Sequence, residues 1–398
     1  MKKCVALVVY SHYSRDARVR RYGESLERSG YSVDVISLAD SYEEKKLSIS
    51  FIQFPLPRMR LGKLWYIAEY FLFFLFTTWK LMVGQIKKNY QFIHVNNMPD
   101  FLVFAAFVPK LFGAKIILDI HDPMPELYMS KYHVSKNNFV VKILCYLERI
   151  SIQFSDSILT ANPVFKEILL KRNAVNEKKI TVILNCPDTR IFSTNNARIK
   201  KHSSKFTLLY MGTVDERFGL DIAIEAILTI VKRIPKVQFI IIPKLEREGM
   251  YFSELRNMVI GYGLSKQVLF YKPLPLDKIA EALKNVDIGV VLAKDGIFPN
   301  IIFPVKLLEF IQMGVPVIAT KTTILSRYFD QTMIFFLKEN TPKEFSDAVW
   351  RLYSNEKLRK SLVKNAKKYF TKHNWNKEES KYHAVVTKLL HQKSNKEK

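Results

Sequence analysis

The clearest indication of the fold is the segment FTLLYMGTVDERFGLDIAIEAILTIVKRI, residues 206–234. It opens with a short apolar run, passes through a turn bounded by Gly212 and Gly219, and ends in an apolar sequence with helical spacing. A buried strand, a glycine-bounded turn and a helix make one βα unit of a parallel sheet. The turn is therefore expected at the carboxyl end of the strand, where open parallel sheets bind their ligands.

The same alternation of short apolar runs and amphipathic segments extends along the whole chain. It predicts an α/β protein with two facing Rossmann-like, doubly wound domains whose strand ends point at a shared cleft. The predicted N-terminal domain is 1–190 and the C-terminal domain is 191–368. Residues 369–398 are predicted to form a helix followed by a basic tail. One arrangement for this segment is that it packs back on the first domain. The predicted strands are 4–10, 32–38, 92–96, 114–120, 157–161, 180–184, 206–212, 237–242, 267–271, 287–293, 316–320 and 333–337.

Composition limits the classes of protein that need to be considered. Of the 398 residues, 48% are hydrophobic and only 13 are Gly and 16 Pro, which excludes a disordered or low-complexity chain. The 62 Lys and Arg exceed the 37 Asp and Glu, and the net charge of +25 favours nucleic acid, nucleotide phosphates or acidic lipid as partners. Three widely separated cysteines indicate neither a disulfide framework nor a zinc site, and they fit a reducing cytosol.

The segment FPVKLLEFIQMGVPVIAT, residues 303–320, predicts a helix that starts near Pro304, ends at Gly314 and leads into the next strand. Free backbone amides at the helix start make an anion site, and Lys306 and Glu309 project from one face of the first turns. A carboxylate beside a phosphate site is electrostatically unfavourable unless it binds a different part of the ligand. The vicinal hydroxyls of a ribose are suitable hydrogen-bond donors for it. A solvated ion pair on an amphipathic helix is the simpler explanation of the spacing alone.

The turn between Gly212 and Gly219 carries one arginine, Arg217. The planar fork of a guanidinium suits the paired oxygens of a diphosphate, so Arg217 is a candidate phosphate clamp. The turn matches neither of the common glycine-rich phosphate patterns. An exposed arginine paired with Asp215 or Glu216 is the alternative interpretation.

Polar residues follow three strands of the first domain. In LDIHDPMPE, residues 118–126, His121 comes directly after a strand and two prolines stiffen the loop, while a metal site would need more convergent ligands than this run offers. The polar residues at the other two strand ends are His94, Asn96, Asn97 and Asp100, and Asp16, Arg18, Arg20 and Arg21. Since the carboxyl ends of parallel strands meet at one edge of a sheet, these residues predict a functional rim, although capping of nearby backbone groups also explains His121.

Five segments give the chain a resemblance to a known family, the retaining glycosyltransferases of family 4 with the GT-B fold, and in particular to members of the bacterial surface-polysaccharide type. The helix with the pattern Pro-x-Lys-x-x-Glu is the most specific of these segments. The five are SRDARVRRYGESLERSGYSVDVISL at 14–38, GAKIILDIHDPMPELY at 113–128, VILNCPDTRIF at 182–192, GTVDERFGLDIAIEAI at 212–227 and FPVKLLEFIQMGVPVIA at 303–319.

The resemblance implies roles for individual residues. Glu309 would bind the donor ribose, Arg217 and Lys306 would hold the donor diphosphate, and His121 would lie beside the transferred sugar. The predicted catalytic residues are His121, Arg217 and Lys306. The predicted substrate-binding residues are Glu309, Gly212, Thr213, Pro304, Val305, Asp16, Arg18, Asn96, Asp122 and Glu126.

The sequence departs from the common family pattern in two places. Members often carry a first Glu eight positions before the second, where this chain has Ile301, and that acid is usually credited with contacting the donor sugar. They also often place a Lys just before the glycine of the phosphate loop, where this chain has Phe218. The second departure moves the expected phosphate clamp to Arg217.

The implied reaction transfers a sugar from a nucleoside diphosphate sugar to an acceptor hydroxyl with retention of configuration. The acceptor is expected to be a glycan or lipid-linked glycan of cell-surface polysaccharide synthesis. Cationic side chains would stabilise the leaving diphosphate, so neither a metal nor another cofactor is expected. A nucleotide-sugar epimerase of similar two-domain plan and a non-catalytic nucleotide-sugar-binding scaffold are the alternatives. Nucleic acid is not an expected partner, because the chain lacks a recognisable reading motif.

The apolar segment 64–83 has nearly the length of a membrane span, but Glu69 lies inside it. Basic residues flank the segment, with Arg58, Arg60 and Lys63 before it and Lys87 and Lys88 after it. This pattern predicts a peripheral enzyme on the cytoplasmic face of the cell membrane that contacts anionic headgroups. A helix buried inside the first domain and a true span are the two alternatives.

Overall fold

The structure, a computed structural model, describes residues 3–39, 48–56, 63–193, 205–244 and 249–394. The chain divides into two compact units. The first unit comprises Met1–Asn185 and Trp375–Lys398, and the second comprises Cys186–Asn374. The boundary expected after residue 190 lies five residues later than the end of the first segment at Asn185, and the boundary expected after residue 368 lies six residues earlier than the end of the second unit at Asn374.

The first unit is built around a parallel sheet. Its strands are β1 (Cys4–His12), β2 (Ser32–Leu38), β3 (Ile49–Phe54), β4 (Phe92–Asn96), β5 (Lys115–Ile120), β6 (Ser157–Thr160) and β7 (Ile180–Val182). Its helices up to this point are α1 (Ala17–Arg28), α2 (Lys63–Lys88), α3 (Phe107–Leu111), α4 (Met124–Tyr132), α5 (Phe139–Phe154) and α6 (Pro163–Asn173). The seven strands lie in the order β3-β2-β1-β4-β5-β6-β7, and the direction of winding reverses between β1 and β4. The reversal makes the carboxyl ends of those two strands a topological switch point.

The second unit has the same plan with six parallel strands. They are β8 (Phe206–Gly212), β9 (Val237–Pro243), β10 (Val268–Phe270), β11 (Ile288–Val291), β12 (Val317–Thr320) and β13 (Phe335–Leu337). The helices are α7 (Leu220–Arg233), α8 (Met250–Gly261), α9 (Leu276–Leu283), α10 (Ile297–Ile301), α11 (Val305–Gln312), α12 (Pro342–Ser354), α13 (Glu356–Ala366) and α14 (Tyr369–Lys372). The strand order is β10-β9-β8-β11-β12-β13, with its switch point between β8 and β11. Two doubly wound Rossmann-like domains are thus confirmed.

The strands form where the sequence has short apolar runs, because both faces of each sheet are covered by helices. Strand β1, for example, is buried from Val5 to Tyr10. Strand β3 is the one strand of the described residues that sequence analysis missed. It is an edge strand whose ISFIQF sequence mixes apolar and polar residues and stays partly exposed, so it lacks the continuous apolar run of a central strand.

The last helix, α15 (Trp375–Ser394), belongs to the first unit although it follows the second in sequence. Its Tyr382, Val386 and Leu389 are buried in one of the two hydrophobic clusters of the first sheet. The Glu378 carboxylate accepts a hydrogen bond of 2.9 Å from the backbone N–H of Leu184, at the point where the first unit ends. The helix therefore anchors the end of the chain beneath β1 and α1.

Helix α2 covers one face of the first sheet. By length and composition alone, the helical segment Ile67–Lys88 is long and apolar enough to cross a membrane. Of the apolar 18-residue stretch within it, 28% is buried inside the protein. Phe73 and Leu81 are fully buried in the core, and the Tyr10 hydroxyl of β1 donates a hydrogen bond of 3.1 Å to the buried Glu69 carboxylate. Helix α2 is thus the β3–β4 crossover of the sheet, and Glu69 has a protein partner. Arg58 and Arg60 lie outside the described residues.

Candidate active site

The glycine-bounded turn of the second unit begins where β8 ends. Gly212 has φ of +123° and Gly219 has φ of +57°, conformations that side-chain-bearing residues rarely adopt. Between them, Glu216–Phe218 form a 3-10 turn. The Asp215 carboxylate caps this turn by accepting a hydrogen bond of 3.3 Å from the backbone N–H of Arg217. The two glycines therefore allow the chain to turn sharply from β8 into α7 at the switch point of the sheet.

Lys306 enters the same region from α11. Its ammonium lies 3.8 Å from the ring centroid of Tyr210 and 4.8 Å from that of Phe218, so two aromatic faces surround it. A Cβ atom on Gly212 would lie 3.6 Å from the Lys306 Nζ, an ordinary contact distance, so the ammonium lies directly beside this glycine. Within the part of the chain that the structure describes, this ammonium makes no hydrogen bond or ion pair.

Burial lowers the pKa of Lys306 to about 7, although the nearby charge of Glu309 acts in the opposite direction. The cause is desolvation, because the aromatic rings take the place of water around the charge. A lysine in this condition gains most from an anion that arrives beside it. A pocket next to it is lined by Phe218, Pro304, Lys306, Thr320, Thr322 and Leu325, among others.

Arg217 points into the same part of the second unit. Its Nε lies 3.0 Å from the Asp215 carboxylate, and its guanidinium lies 5.4 Å and 5.5 Å from the rings of Phe218 and Phe298. The pairing with Asp215 is the alternative foreseen from the sequence, but the side chain is mostly buried rather than exposed. Its Nη1, like its Nε, is buried without a hydrogen-bond partner among the described residues, so N–H donors remain for a ligand.

The other predicted donor-site residues surround this pair. Glu309 lies on α11 one turn after Lys306 and is half-buried. Pro304 is the residue that precedes the first turn of α11, with Val305 as the first helical residue. Thr213 is exposed, and its carbonyl accepts a hydrogen bond from the buried Tyr210 hydroxyl. The structure thus brings the predicted residues of the second unit together at the ends of β8 and at the start of α11.

In the first unit, Arg18 forms a buried ion pair. Its guanidinium donates hydrogen bonds of 2.6 Å and 3.0 Å to the two oxygens of Asp119, and another of 2.7 Å to the carbonyl of Ile183. Burial opposes ionisation of Asp119, but the Arg18 charge outweighs it and holds the pKa of that carboxyl below its usual range. These contacts account for Arg18 within the fold, and a substrate contact for it remains a prediction.

Asn97 joins two of the predicted strand ends. Its amide nitrogen donates a hydrogen bond of 2.8 Å to the carbonyl of Asp122, and its amide oxygen accepts one of 3.2 Å from the backbone N–H of His121. Neighbouring Asn96 donates to the carbonyl of Val8 on β1, while its own amide oxygen is buried without a partner among the described residues. The polar rim predicted from three separate strand ends is thus one connected group.

His121 is half-buried at this rim, and its Nδ1 is buried without a hydrogen-bond partner among the described residues. Two other predicted residues have roles inside the protein. Asp16 caps α1 by accepting a hydrogen bond of 3.1 Å from the backbone N–H of Val19. Both carboxylate oxygens of the buried Glu126 accept hydrogen bonds from Arg172, at 2.7 Å and 3.2 Å.

Packing of the C-terminal helix on the first domain was one expected arrangement, but the contacts of α15 beneath this rim were not predicted. The Tyr382 hydroxyl lies 3.0 Å from Nδ1 of the buried His94, and burial lowers the pKa of His94 to about 4. Trp375 packs beneath the guanidinium of Arg21, 5.1 Å from it. Because 288 residues separate Tyr382 from His94 in sequence, no local pattern signals the contact.

Two doubly wound units, one of them with a glycine-bounded turn and two cationic side chains at its switch point, define a protein of the GT-B type. Comparison with known families gives a narrower assignment. Residues 17–190 match the family described as Glycosyltransferase Family 4, and residues 192–369 match the Glycosyl transferases group 1. Since these two matches cover most of the chain, it belongs to the GT-B glycosyltransferases.

Individual relatives are more distant. An uncharacterised glycosyltransferase of Methanocaldococcus jannaschii is 26% identical over 170 residues, which make up 42% of this chain and 44% of that protein. This chain therefore matches less than half of the length of that curated relative. The fold resembles sucrose-phosphate synthase of Thermosynechococcus elongatus, with a TM-score of 0.75, 18% identity and 98% and 100% of the two chains covered. It also resembles Anabaena HepE in complex with UDP-glucose, with a TM-score of 0.73, 14% identity and 97% and 99% covered.

Proposed function

We propose that this protein transfers a sugar from a nucleoside diphosphate sugar to an acceptor hydroxyl with retention of configuration. The observation that carries the proposal is the Lys306 ammonium, which lies between two aromatic faces beside Gly212 and makes no hydrogen bond or ion pair with the described residues. Desolvating a cation is unfavourable unless an anion later compensates for it. A diphosphate is the anion that the family membership makes most relevant.

In the proposed mechanism, the second unit supplies positive charge to the leaving group. As the bond between the sugar and the diphosphate breaks, negative charge grows on the diphosphate, and Lys306 and Nη1 of Arg217 are placed to stabilise it. Glu309 accepts hydrogen bonds from the ribose hydroxyls. This charge stabilisation needs no metal ion, so activity should persist in the presence of EDTA.

The donor is a uridine or guanosine diphosphate sugar. Anabaena HepE has been solved in complex with UDP and with UDP-glucose, which supports the uridine form as the first to test. Residue 301, where many family members carry an acid at the donor sugar, is a buried isoleucine here. His121 at the rim of the first unit is the residue proposed to lie beside the sugar.

The acceptor is a glycan or a lipid-linked glycan of cell-surface polysaccharide synthesis, and the enzyme works at the cytoplasmic face of the membrane. A structural neighbour, WaaG, is described as involved in lipopolysaccharide biosynthesis and has a TM-score of 0.71 at 14% identity. Exposed apolar side chains of α2, among them Leu75 and Trp79, also support an acceptor at a lipid surface.

Product analysis tests this function directly. The purified chain is incubated with UDP-glucose, UDP-N-acetylglucosamine or a GDP-sugar in the presence of extracted lipid-linked glycans. We expect release of UDP or GDP and a glycosylated product whose anomeric carbon, observed by NMR, keeps the donor configuration. Conversion of the donor into an isomeric nucleotide sugar would identify an epimerase, and tight donor binding without either product would identify a scaffold.

A further inference from the structure

Helix α2 has two apolar faces, and only one of them is covered by the sheet. The inward residues include Phe73, Thr77 and Leu81, all fully buried. The residues two positions further on, Leu75 and Trp79, are 48% and 53% exposed. A step of two residues turns an α-helix by about 200°, so the second face points away from the core. An ordinary crossover helix carries polar side chains there.

The outer face of α2 is a continuous stripe. Its exposed apolar side chains follow one another at steps of three and four residues, the spacing of one helix face. They are Leu72, Leu75, Trp79, Met82 and Ile86, with Trp65, Ile67 and Phe71 at the amino end. From 65 to 86 the stripe is about 32 Å long. Soluble monomers rarely expose so large an apolar surface without a partner.

The apolar surface continues beyond α2. Helix α3 packs against α2, and its Phe107 and Leu111, together with Phe112 just after it, are each more than half exposed. The Thr78 hydroxyl on α2 donates to the carbonyl of Phe74, one turn earlier, so its polar group is already bonded. The exposed surface is therefore suited to an apolar partner and not to a partner that forms hydrogen bonds with it.

The charge on α2 indicates what that partner is. Its only acidic residue, Glu69, is buried and bonded to Tyr10, whereas Lys80 and Lys87 are accessible. The Lys80 ammonium lies 4.1 Å from the ring centroid of Trp79, a pairing of cation and aromatic ring suited to the depth of lipid headgroups. In a symmetric contact between two copies, these lysines would repel one another. An anionic lipid bilayer instead complements both the apolar stripe and its lysines.

We propose that the outer face of α2, with α3, docks on an anionic lipid bilayer in the bilayer plane. The helix stays packed on its own sheet and inserts only its outer side chains, so the chain does not span the bilayer through α2. The docking proposal rests on the proposed function in one respect, because a lipid-linked acceptor gives the enzyme a reason to bind a bilayer. The exposed apolar residues of α2 and α3 are then the membrane-binding residues of the enzyme.

Flotation with vesicles tests the docking surface. The full chain is mixed with vesicles of phosphatidylcholine alone or of equal parts phosphatidylcholine and phosphatidylglycerol. We expect binding to the anionic vesicles and a loss of about tenfold or more in the double variant Leu75→Glu, Trp79→Glu. The matched control is Met250→Glu, Ile260→Glu on α8, which adds the same charge at exposed apolar positions of the second unit and should bind like the wild type.

A second measurement needs no charge-changing variant. Lipids with brominated acyl chains quench tryptophan fluorescence on contact, so the wild-type chain should lose intensity on anionic brominated vesicles. The intensity lost to quenching should fall in Trp79→Phe and stay unchanged in Trp350→Phe, whose tryptophan lies in the second unit. Absence of quenching, or equal binding by the α2 double variant and the wild type, would overturn the proposal. The proposal would also be overturned if the wild type did not bind vesicles and formed a dimer while the double variant was a monomer.

The outcome is separable from that of the proposed function. Binding of UDP is measured by thermal shift in vesicle-free solution, where the outer face of α2 has no part. A chain that binds UDP but not anionic vesicles would refute the docking surface alone. A chain that binds the vesicles but neither binds nor consumes any nucleotide sugar would refute the enzymatic proposal alone.

Discussion

Binding of UDP should depend on pH through Lys306. Burial lowers the pKa of this lysine to about 7 in the free protein, so about half of the molecules carry the ammonium at pH 7 and about one in a hundred at pH 9. A diphosphate pairs with the ammonium and not with the neutral amine. If the neutral form contributes nothing, the dissociation constant should rise about fiftyfold between these pH values.

The sign follows from linkage. Because the bound anion raises the pKa of Lys306, binding takes up a proton above pH 7, and the affinity is complete below pH 7 and is lost as pH rises. The free protein behaves in the opposite way. An unfolded lysine holds its proton up to about pH 10.4, so stability without ligand should increase with pH through this window.

Titration calorimetry measures both the affinity and the proton uptake. Buffers of different ionisation enthalpy should reveal uptake of about 0.9 proton at pH 8. The diphosphate of the ligand does not titrate there, since the second phosphate pKa is about 6. Burial raises the pKa of Tyr210, the ring beneath the ammonium, well above its usual range, so it stays protonated throughout.

Two variants provide the controls. Lys306→Arg keeps a charge at all these pH values and should bind UDP with almost no pH dependence, whereas Lys306→Met should bind weakly at every pH. An affinity of the wild type that is constant between pH 7 and 9, with no proton uptake, would show that the charge of Lys306 does not control UDP binding. The same pH slope in Lys306→Met would show that another group titrates.

Three further substitutions test the site and its support. Glu309→Gln should keep the fold, seen by circular dichroism, and lose most sugar transfer, because a carboxylate that binds ribose hydroxyls contributes ligand contacts more than packing; unchanged turnover would exclude this role. Arg217→Ala should weaken UDP binding by about 2 to 4 kcal/mol in calorimetry and uridine binding far less, whereas equal losses would make Arg217 structural. Arg18→Ala should lower the free energy of unfolding by about 3 to 5 kcal/mol in urea titrations, since it leaves the Asp119 carboxylate buried without its cation. Adding Asp119→Asn should recover part of that loss, and no recovery would contradict the ion-pair explanation.

Most of the architecture could be predicted because each parallel strand is buried on both faces. That condition requires a continuous apolar run, which can be recognised locally, as at 206–212 and 237–242. Edge strand β3 escaped this logic because its residues remain partly exposed. The location of the candidate donor site was also predictable, since a strand, a turn between two glycines and a helix place Arg217 at the end of β8.

The partners of the predicted residues were decided by tertiary contacts. Arg18 and Asp119, 101 residues apart, form a buried ion pair, and Glu126 is bound by Arg172. No spacing rule connects such residues, because the sheet order and not the sequence makes them neighbours. The same holds for Tyr382, whose helix returns to the first unit after the whole second unit has been completed.

Helix α2 shows the division most clearly. From the amino-acid sequence it could be seen that 64–83 is apolar, of nearly membrane-spanning length and interrupted by Glu69, which left three arrangements open. The contacts in the folded protein show that one face covers the sheet and that the Glu69 carboxylate accepts a hydrogen bond from Tyr10, while the other face is exposed. Hydropathy averages over all sides of a helix, whereas burial depends on which side meets the sheet, and that direction exists only in the folded protein.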